Sequence, residues 1–320
     1  MSTEEFPTTL VEAVRYFSDL DICLKTMVAL RWPHGVVCPR CGSREVTFLA
    51  KARVWKCRTP HRQQKFSVKV GTVMEDSPIG LDKWLPAIWL IVNAKNDISS
   101  YELHRALGVT QKTAWFLLHR IRLAMQDKDG GLLSGQVEVD ETFIGGSSRF
   151  MHKSKREKVV TGRGTGATGK TPVMGLLERH SEKKPSRVKA KVISNVKRET
   201  LHGEIRKHVV PGAELYTDEW VGYKTIEPDY VHNVINHAEE YVRGNVHTNG
   251  IENFWSLLKR SIKGTYVSVE PFHLHRYLDE QAFRFNTRKA ADSSRMATVV
   301  GRVTGRRLTY NALTGNETAS

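Results

Sequence analysis

Cysteine is scarce: four in 320 residues, too few for a disulfide framework in a chain of this length. Long apolar runs are missing too. The longest, WLPAIWLIVNA at 84–94, falls well short of the roughly 20 residues that a membrane-spanning helix needs, and it carries a proline. The opening residues, MSTEEF, are acidic and lack the apolar core of a secretory signal, so nothing directs export. No Ser–His arrangement argues for a nucleophilic hydrolase, and no internal repeat is visible. Acidic residues are the last shortage: 34 Asp and Glu face 49 Lys and Arg, leaving a formal net charge of +15. Such a surplus is unusual for a metabolic enzyme and favours phosphate backbones, with an anionic membrane the weaker option. These absences leave a cytosolic, nucleic-acid-facing protein, with chain enough for two or three domains.

What is present changes texture along the chain. Apolar residues every three or four positions make residues 1–32 an N-terminal helical segment. Residues 33–73 break into short β-like pieces, VTFLA and RVWKC, around cysteine and glycine. Helical patterning resumes over 78–127. The polar stretch DKDGGLLSG at 127–135 reads as a linker. From 134 to 290 strand and helix signals alternate, interrupted by a basic insertion at 149–170, which is the order of an α/β domain. Residues 291–320 are polar and weakly patterned, a C-terminal tail.

Three of the four cysteines fall into a pattern. CPRCG supplies Cys38 and Cys41; after fifteen intervening residues CRTPH supplies Cys57 and His61. Zinc takes four soft or borderline ligands in a tetrahedron, and two short-spaced pairs on facing turns provide them. Four protein ligands close the site, so the metal is structural. The last pair departs from the commoner C-x2-C, which makes His61 the least secure of the four. Reduced, buried cysteines are the alternative. Cys23 stands apart in an apolar helix and reads as core.

ISSYELHRALGVTQKTAWFLLHRIRLAM, 98–125, reads as a helix capped by Ser99 or Ser100, a turn at Gly108, and a second helix capped by Thr110. As a helix-turn-helix it presents Gln111, Lys112, Thr113 and Arg120, with His119, towards DNA, while Ala114, Leu117, Leu118 and Ile121 pack inwards. An ordinary helical hairpin is the competing reading. GTGATGKT at 164–171 matches a phosphate-binding loop to the letter. Its context fails, because a charged segment precedes it and a strand-like one follows. Across 149–170 seven Lys and Arg, Lys153, Lys155 and Arg156 among them, face one Glu. That composition suits a basic hairpin gripping a phosphate backbone, or a solvated charged loop.

Three acids stand out. Alternation in QVEVDETF sends Val137 and Val139 to one face and Glu138, Asp140 and Thr142 to the other. Asp218 ends the short strand ELYTD, where α/β folds expose ligand-binding groups. Glu252 follows 34 residues later in HTNGIENFWSLLKR, an amphipathic helix anchored by Ile251, Phe254, Trp255 and Leu258. Asn249 and Glu252 also form a capping-box pattern, so Glu252 reads as a cap or as a working carboxylate. An acid in a first strand, one at a later strand end and one on a downstream helix make a constellation for two Mg²⁺, with Mn²⁺ able to substitute. His247 sits near enough in sequence to reach a scissile phosphate, or is a surface histidine. Trp220 and Tyr223 read as packing, with base stacking the lesser role.

The stretches CPRCGS, WKC, QKFSVKVGTVMEDSPIGLDKW, ALGVTQKTAWFLLHRIR, VEVDETFIGG, YTDEWVGY and HTNGIENFWSLLKRSIKGTY, in that order, resemble a bacterial insertion-sequence transposase of the DDE superfamily, in its zinc-ribbon, ISXO-like branch. The resemblance implies an α/β, ribonuclease H-like catalytic domain, a mixed sheet flanked by helices. A small β zinc ribbon and a helix-turn-helix region precede it. Asp140, Asp218 and Glu252 become the magnesium ligands, and Lys259, with Arg260 beside it, contacts DNA near them. Some members of the branch carry Asn at the third acidic position; Glu252 completes an acidic triad here. The expected function is binding of transposon ends, metal-dependent cleavage and strand transfer into target double-stranded DNA. The implied setting is cytoplasmic and nucleoid-associated, with a homodimer or larger assembly at synapsis. A non-catalytic DNA-binding regulator and another ribonuclease H-like nuclease are the competing readings.

Overall fold

The computed structural model describes residues 6–128, 130–146, 153, 169–182, 184–218, 221–223, 226, 229–235 and 247–316. The chain divides into two compact units, Met1–Gln126 together with Lys289–Ser320, and Asp127–Arg288.

In the first unit, α1 (Leu10–Tyr16) starts with a capping box between Thr9 and Glu12, and α2 (Leu20–Arg31) with the Asp19 carboxylate accepting from two amides. A three-stranded antiparallel sheet follows: β1 (Val46–Leu49), β2 (Val54–Cys57) and β3 (Lys65–Phe66). Trp32, Trp55 and Phe66 pack ring on ring beneath it. Then come α3 (Leu81–Asn93), α4 (Ser100–Leu107) and α5 (Gln111–Met125). Three residues separate the last two, and Gly108 takes the left-handed conformation there, with φ 60°.

The segment expected to be a tail belongs to this unit instead. Helix Asp292–Gly301 packs on α2, α3 and α5. Met296, Val299, Val300, Val303, Leu308 and Leu313 are all buried. Its apolar stripe is short and diluted by Ser, Arg and Thr, so periodicity alone hides it. A contact with the rest of the unit decides what the pattern does not.

The second unit is an α/β body around a mixed five-stranded sheet of order β6-β5-β4-β7-β8. Its strands are β4 (Gln136–Ile144), β5 (Thr171–Glu178), β6 (Arg187–Val192), β7 (Glu214–Asp218) and β8 (Val231–Ile235). The first three in the chain form an antiparallel meander; β7 and β8 run parallel to β4. Between β6 and β7 the chain crosses through α6 (Arg198–His208). After β8 come α7 (Asn249–Ser261) and α8 (Leu274–Thr287).

The period-two alternation of β4 divides the core as the sequence predicts. Val137 and Val139 join Leu201, Ile205 and Leu215 in the layer under α6. The opposite face packs Val173, Leu177 and Val188 against Ile251, Phe254, Trp255, Leu274 and Leu278 of α7 and α8. Asp140 lies on this second face, paired across the ladder with Gly175. A Cβ on Gly175 would come within 2.5 Å of the Trp255 ring. The strand is bare there so that the helix can sit close.

Candidate active site and metal centre

Register brings two of the three acids together. Glu138 of β4 pairs with Tyr216 of β7 in the parallel ladder. Asp140 and Asp218 each lie two residues further along the same two strands, so both face α7. Glu252 enters from the first turn of α7.

Asp140 and Glu252 are each restrained by their own neighbours. Asp140 accepts the Trp255 indole N–H at Oδ2 (2.9 Å) and the Glu141 amide at Oδ1 (2.8 Å). Burial raises the Asp140 pKa to about 6; those two hydrogen bonds oppose the rise, and the charges on Asp218 and Glu252 add to it. The site therefore concentrates negative charge in a poorly solvated place. Oxygen donors under mutual repulsion are what a hard divalent cation relieves, so the three acids fit Mg²⁺ or Mn²⁺. Glu252 is exposed, and the buried Thr248 hydroxyl donates to its Oε1 at 2.9 Å. Behind the strand, burial pushes Glu141 up to about 8; the Tyr223 phenol beside it pulls the other way. Tyr223 is itself 1% exposed, which makes it packing, as expected. Trp220 lies outside the described residues.

The start of α7 corrects the capping box. Thr248 is the N-cap and Asn249 the first helical residue, so Asn249 does not cap the helix. A distant side chain supplies the missing acceptor: Glu138, 1% exposed, takes the Ile251 amide at 2.8 Å. A tertiary acceptor has replaced a local one.

At the other centre, Cys38, Cys41, Cys57 and His61 offer four ligand atoms all within 4.8 Å of one another. Cys38 Sγ lies 3.5 Å from His61 Nε2 and Cys41 Sγ 3.6 Å from Cys57 Sγ. Zinc at about 2.3 Å from sulfur and about 2.0 Å from nitrogen gives tetrahedral edges of roughly 3.5–3.8 Å. The donor set fits a structural zinc, with His61 as the fourth ligand. Burial opposes ionisation of Cys38, yet the amides of Arg40 and Cys41 and the nearby Cys41 and His61 side chains bring its pKa down to about 7.

Residues 20–63 match the transposase zinc-ribbon domain, and residues 132–286 match the ISXO2-like transposase domain. An uncharacterised transposase-like protein of Haemophilus influenzae is 33% identical over 96 residues, covering 77% of that protein and 30% of this chain. The chain belongs to the ISXO2-like transposase family. It is also 28% identical over 244 residues to an uncharacterised protein of the transposable element ISH50 in Halobacterium salinarum, over 73% of this chain and 80% of that one.

The transposase places its expected DNA-facing residues unevenly. On α7, Lys259 and Arg260 are exposed, and Lys259 lies two turns beyond Glu252 on the same stripe. On α5, Lys112 is exposed and stacks over the Tyr310 ring, 4.6 Å from its centre. Gln111 donates to Ser100 Oγ at 2.8 Å, and Thr113 bonds to the Thr110 hydroxyl at the same distance. Arg120 does not face outwards. It is 6% exposed, and its guanidinium donates to the Leu308 and Glu75 carbonyls. His119 is buried against Trp115, so this end of α5 faces inwards. Ala114, Leu117, Leu118 and Ile121 are buried as expected. Lys153 is exposed; Lys155 and Arg156 lie outside the described residues. Most of the 164–171 glycine motif lies outside them as well, and Thr171 opens a strand, not a helix.

Four residues that shape the site carry little signal of their own. Trp255 reads as core until its indole is seen on Asp140. Thr248 looks like loop. Arg179, just past β5, bonds to Glu138 at 2.8 Å, and His247 lies 3.5 Å from the same carboxylate. His247 is thus engaged with the helix start. A clue was available in Gly175, since a glycine within a strand marks a close approach.

Among the described residues, no helix is long and apolar enough to cross a membrane.

Proposed function

We propose that this transposase binds the double-stranded ends of its own insertion sequence, cuts them and joins them to target DNA, using Asp140, Asp218 and Glu252. One observation carries the reading. Asp140, on the central strand of a mixed sheet, is held half-dry on the face where Asp218 and Glu252 add their charge. An antiparallel meander continued by two parallel strands, with the first acid on the middle strand, supports a ribonuclease H-like catalytic domain.

Two divalent cations held by the three acids would activate the attacking hydroxyl and stabilise the leaving oxygen. The chain's own residues do the rest. The Trp255 indole fixes Oδ2 of Asp140 and holds its pKa down, keeping the carboxylate mostly ionised at neutral pH. Thr248 orients Glu252, and Lys259 sets a positive charge two turns along for the substrate phosphate. In the first step water attacks the phosphorus at the transposon end, and the bond to the 3′ oxygen breaks, leaving a 3′-hydroxyl. That hydroxyl then attacks a target phosphodiester in line, and the target's own 3′ oxygen leaves. No protein nucleophile takes part.

The ribbon, with its zinc, and the helix pair α4–α5, through Gln111, Lys112 and Thr113, supply end recognition. Lys153, Lys155, Arg156, Lys259 and Arg260 add grip on phosphates. Two ends must meet in one complex, so the working form is a homodimer or larger, acting on nucleoid DNA in the cytoplasm. A regulator that only bound DNA would gain nothing from a desolvated carboxylate among like charges, which costs stability.

Asp140→Asn tests the reading. It should lower Mg²⁺-dependent cleavage of an end-containing oligonucleotide by at least about a thousandfold, with end binding retained in a mobility-shift titration. Cleavage at the wild-type rate would remove Asp140 from the mechanism.

A further inference from the structure

Beneath the acids lies a second charged cluster. Glu138 and Arg179 form an ion pair at 2.8 Å, with side-chain exposures of 1% and 11%. The other oxygen of Glu138 accepts the Ile251 amide at 2.8 Å. Arg179 donates to the His247 carbonyl and lies 3.3 Å from His247 Nδ1. Its guanidinium stacks on the Tyr216 ring, 4.0 Å from the centre. A Cβ on Gly250 would sit 2.8 Å from Glu138 Oε2, so α7 starts hard against this carboxylate.

The connectivity is the informative part. Glu138 is two residues before Asp140, Tyr216 two before Asp218, and Ile251 one before Glu252. A single buried ion pair therefore ties together the three elements that carry the three acids, one or two residues before each acid. Buried ion pairs are seldom retained for stability, because desolvation offsets most of the attraction. What such a pair supplies is geometry: Arg179 presents a rigid fork, and Glu138 has one oxygen for the fork and one for the helix.

We propose that Glu138 and Arg179 are positioning residues that set the spacing of Asp140, Asp218 and Glu252, and hence the affinity of the site for divalent metal. This rests on the proposed function. Without the pair, α7 loses its amide acceptor and Glu252 is free to move relative to the two strands. Metal ligands held by such outer partners lose affinity by roughly 10–100-fold when the partner is removed.

The test uses full-length protein with Glu138→Gln and Arg179→Lys, and Ile205→Val on the opposite face of the sheet as a stability control. Two readouts are taken: the Mg²⁺ concentration for half-maximal cleavage of an end oligonucleotide, and Fe²⁺-directed hydroxyl-radical scission of the chain near 140, 218 and 252, competed by Mg²⁺. Glu138→Gln should raise both concentrations at least about tenfold, with end binding unchanged. Arg179→Lys, which keeps the charge and loses the fork, should fall between it and wild type. Ile205→Val should lower the melting temperature without moving either. If Glu138→Gln proves insoluble, Arg179→Lys alone decides. A variant that melts earlier but keeps the wild-type metal response overturns the positioning role. Absence of metal-dependent cleavage and scission in the wild-type protein would overturn the function reading instead.

Discussion

The zinc ribbon and the proposed acid site of this chain are built on opposite plans. The ribbon takes its four ligands from two short turns, within 24 residues of sequence from Cys38 to His61, and holds them all within 4.8 Å. The proposed acid site takes one carboxylate from each of three elements spread from Asp140 to Glu252, with Trp255 bonded to the first and Thr248 to the last. A centre that only folds can be local and closed. One that must admit a phosphate keeps a face open, and its order has to come from the layer behind it.

Removing zinc should produce the largest effect, because folding and metal binding are the same event in a ribbon. Structural zinc supplies on the order of 10 kcal/mol in small zinc modules. Cys38→Ser should yield protein without stoichiometric zinc by atomic absorption, with the β1–β3 sheet unfolded and end binding lost. The acid site should remain intact, so Mg²⁺-dependent nicking of non-specific DNA persists. Retained specific binding by the zinc-free variant would break the division of labour between the centres.

Removing an acid should act in the opposite direction. Asp140 has its pKa raised by burial to about 6, so folding favours its protonated form. That contribution to stability is present below the unfolded pKa, near 4, and is lost as pH rises through 6. Above pH 7, without divalent metal, Asp140→Asn should therefore stabilise the second unit by about 2 kcal/mol. In melting temperature this is roughly 4–8 °C. The gain should shrink towards pH 4 and also on adding Mg²⁺ to the wild type. A variant less stable than wild type at pH 7.5 would mean that Asp140 is not under electrostatic strain.

Trp255→Phe sharpens the same point at smaller scale. It keeps an aromatic ring over Gly175 and removes the donor to Asp140, at a cost of about 1–2 kcal/mol. The hydrogen bond holds the Asp140 pKa down, so its loss should move the acidic limb of the cleavage pH profile upwards. An unchanged limb would show that the indole only packs.

Much of this was legible in the sequence, and the misses share a cause. The ribbon, the alternation of β4 and the helix of Glu252 are local patterns, each set by period or spacing, and each is found where the pattern puts it. Asp140 stood out because a carboxylate within a β-branched strand needs a reason, and it lies on the face packed by α7. The tail helix, the buried Arg120 and the capping of α7 by Glu138 depend on what lies across the fold. Leu308 and Glu75, more than forty residues away on either side, decide that Arg120 faces inwards. Asn249 had the right spacing for a cap and lost the role to a carboxylate 113 residues away from Ile251. No window of sequence contains that competition.

The smallest effect is expected at Thr248. Its side chain is buried, but the Glu252 carboxylate it serves is exposed and can take a water in exchange. Thr248→Val keeps the shape and deletes only the hydroxyl. With the acceptor still solvated, the lost bond is worth about 0.5–1 kcal/mol, a melting shift of a few degrees at most. The effect on metal should be larger in proportion than the effect on folding. A Glu252 free to rotate must be ordered when it binds, which should raise half-saturating Mg²⁺ by about two- to fivefold, given side-chain ordering of roughly 0.5–1 kcal/mol. Glu252→Gln in the Thr248→Val background supplies the check. If Thr248 acts through Glu252, the double variant should bind metal no more weakly than Glu252→Gln alone. Additive losses would instead show that Thr248 supports the helix start independently, and that the exposed acid needs no partner to hold it.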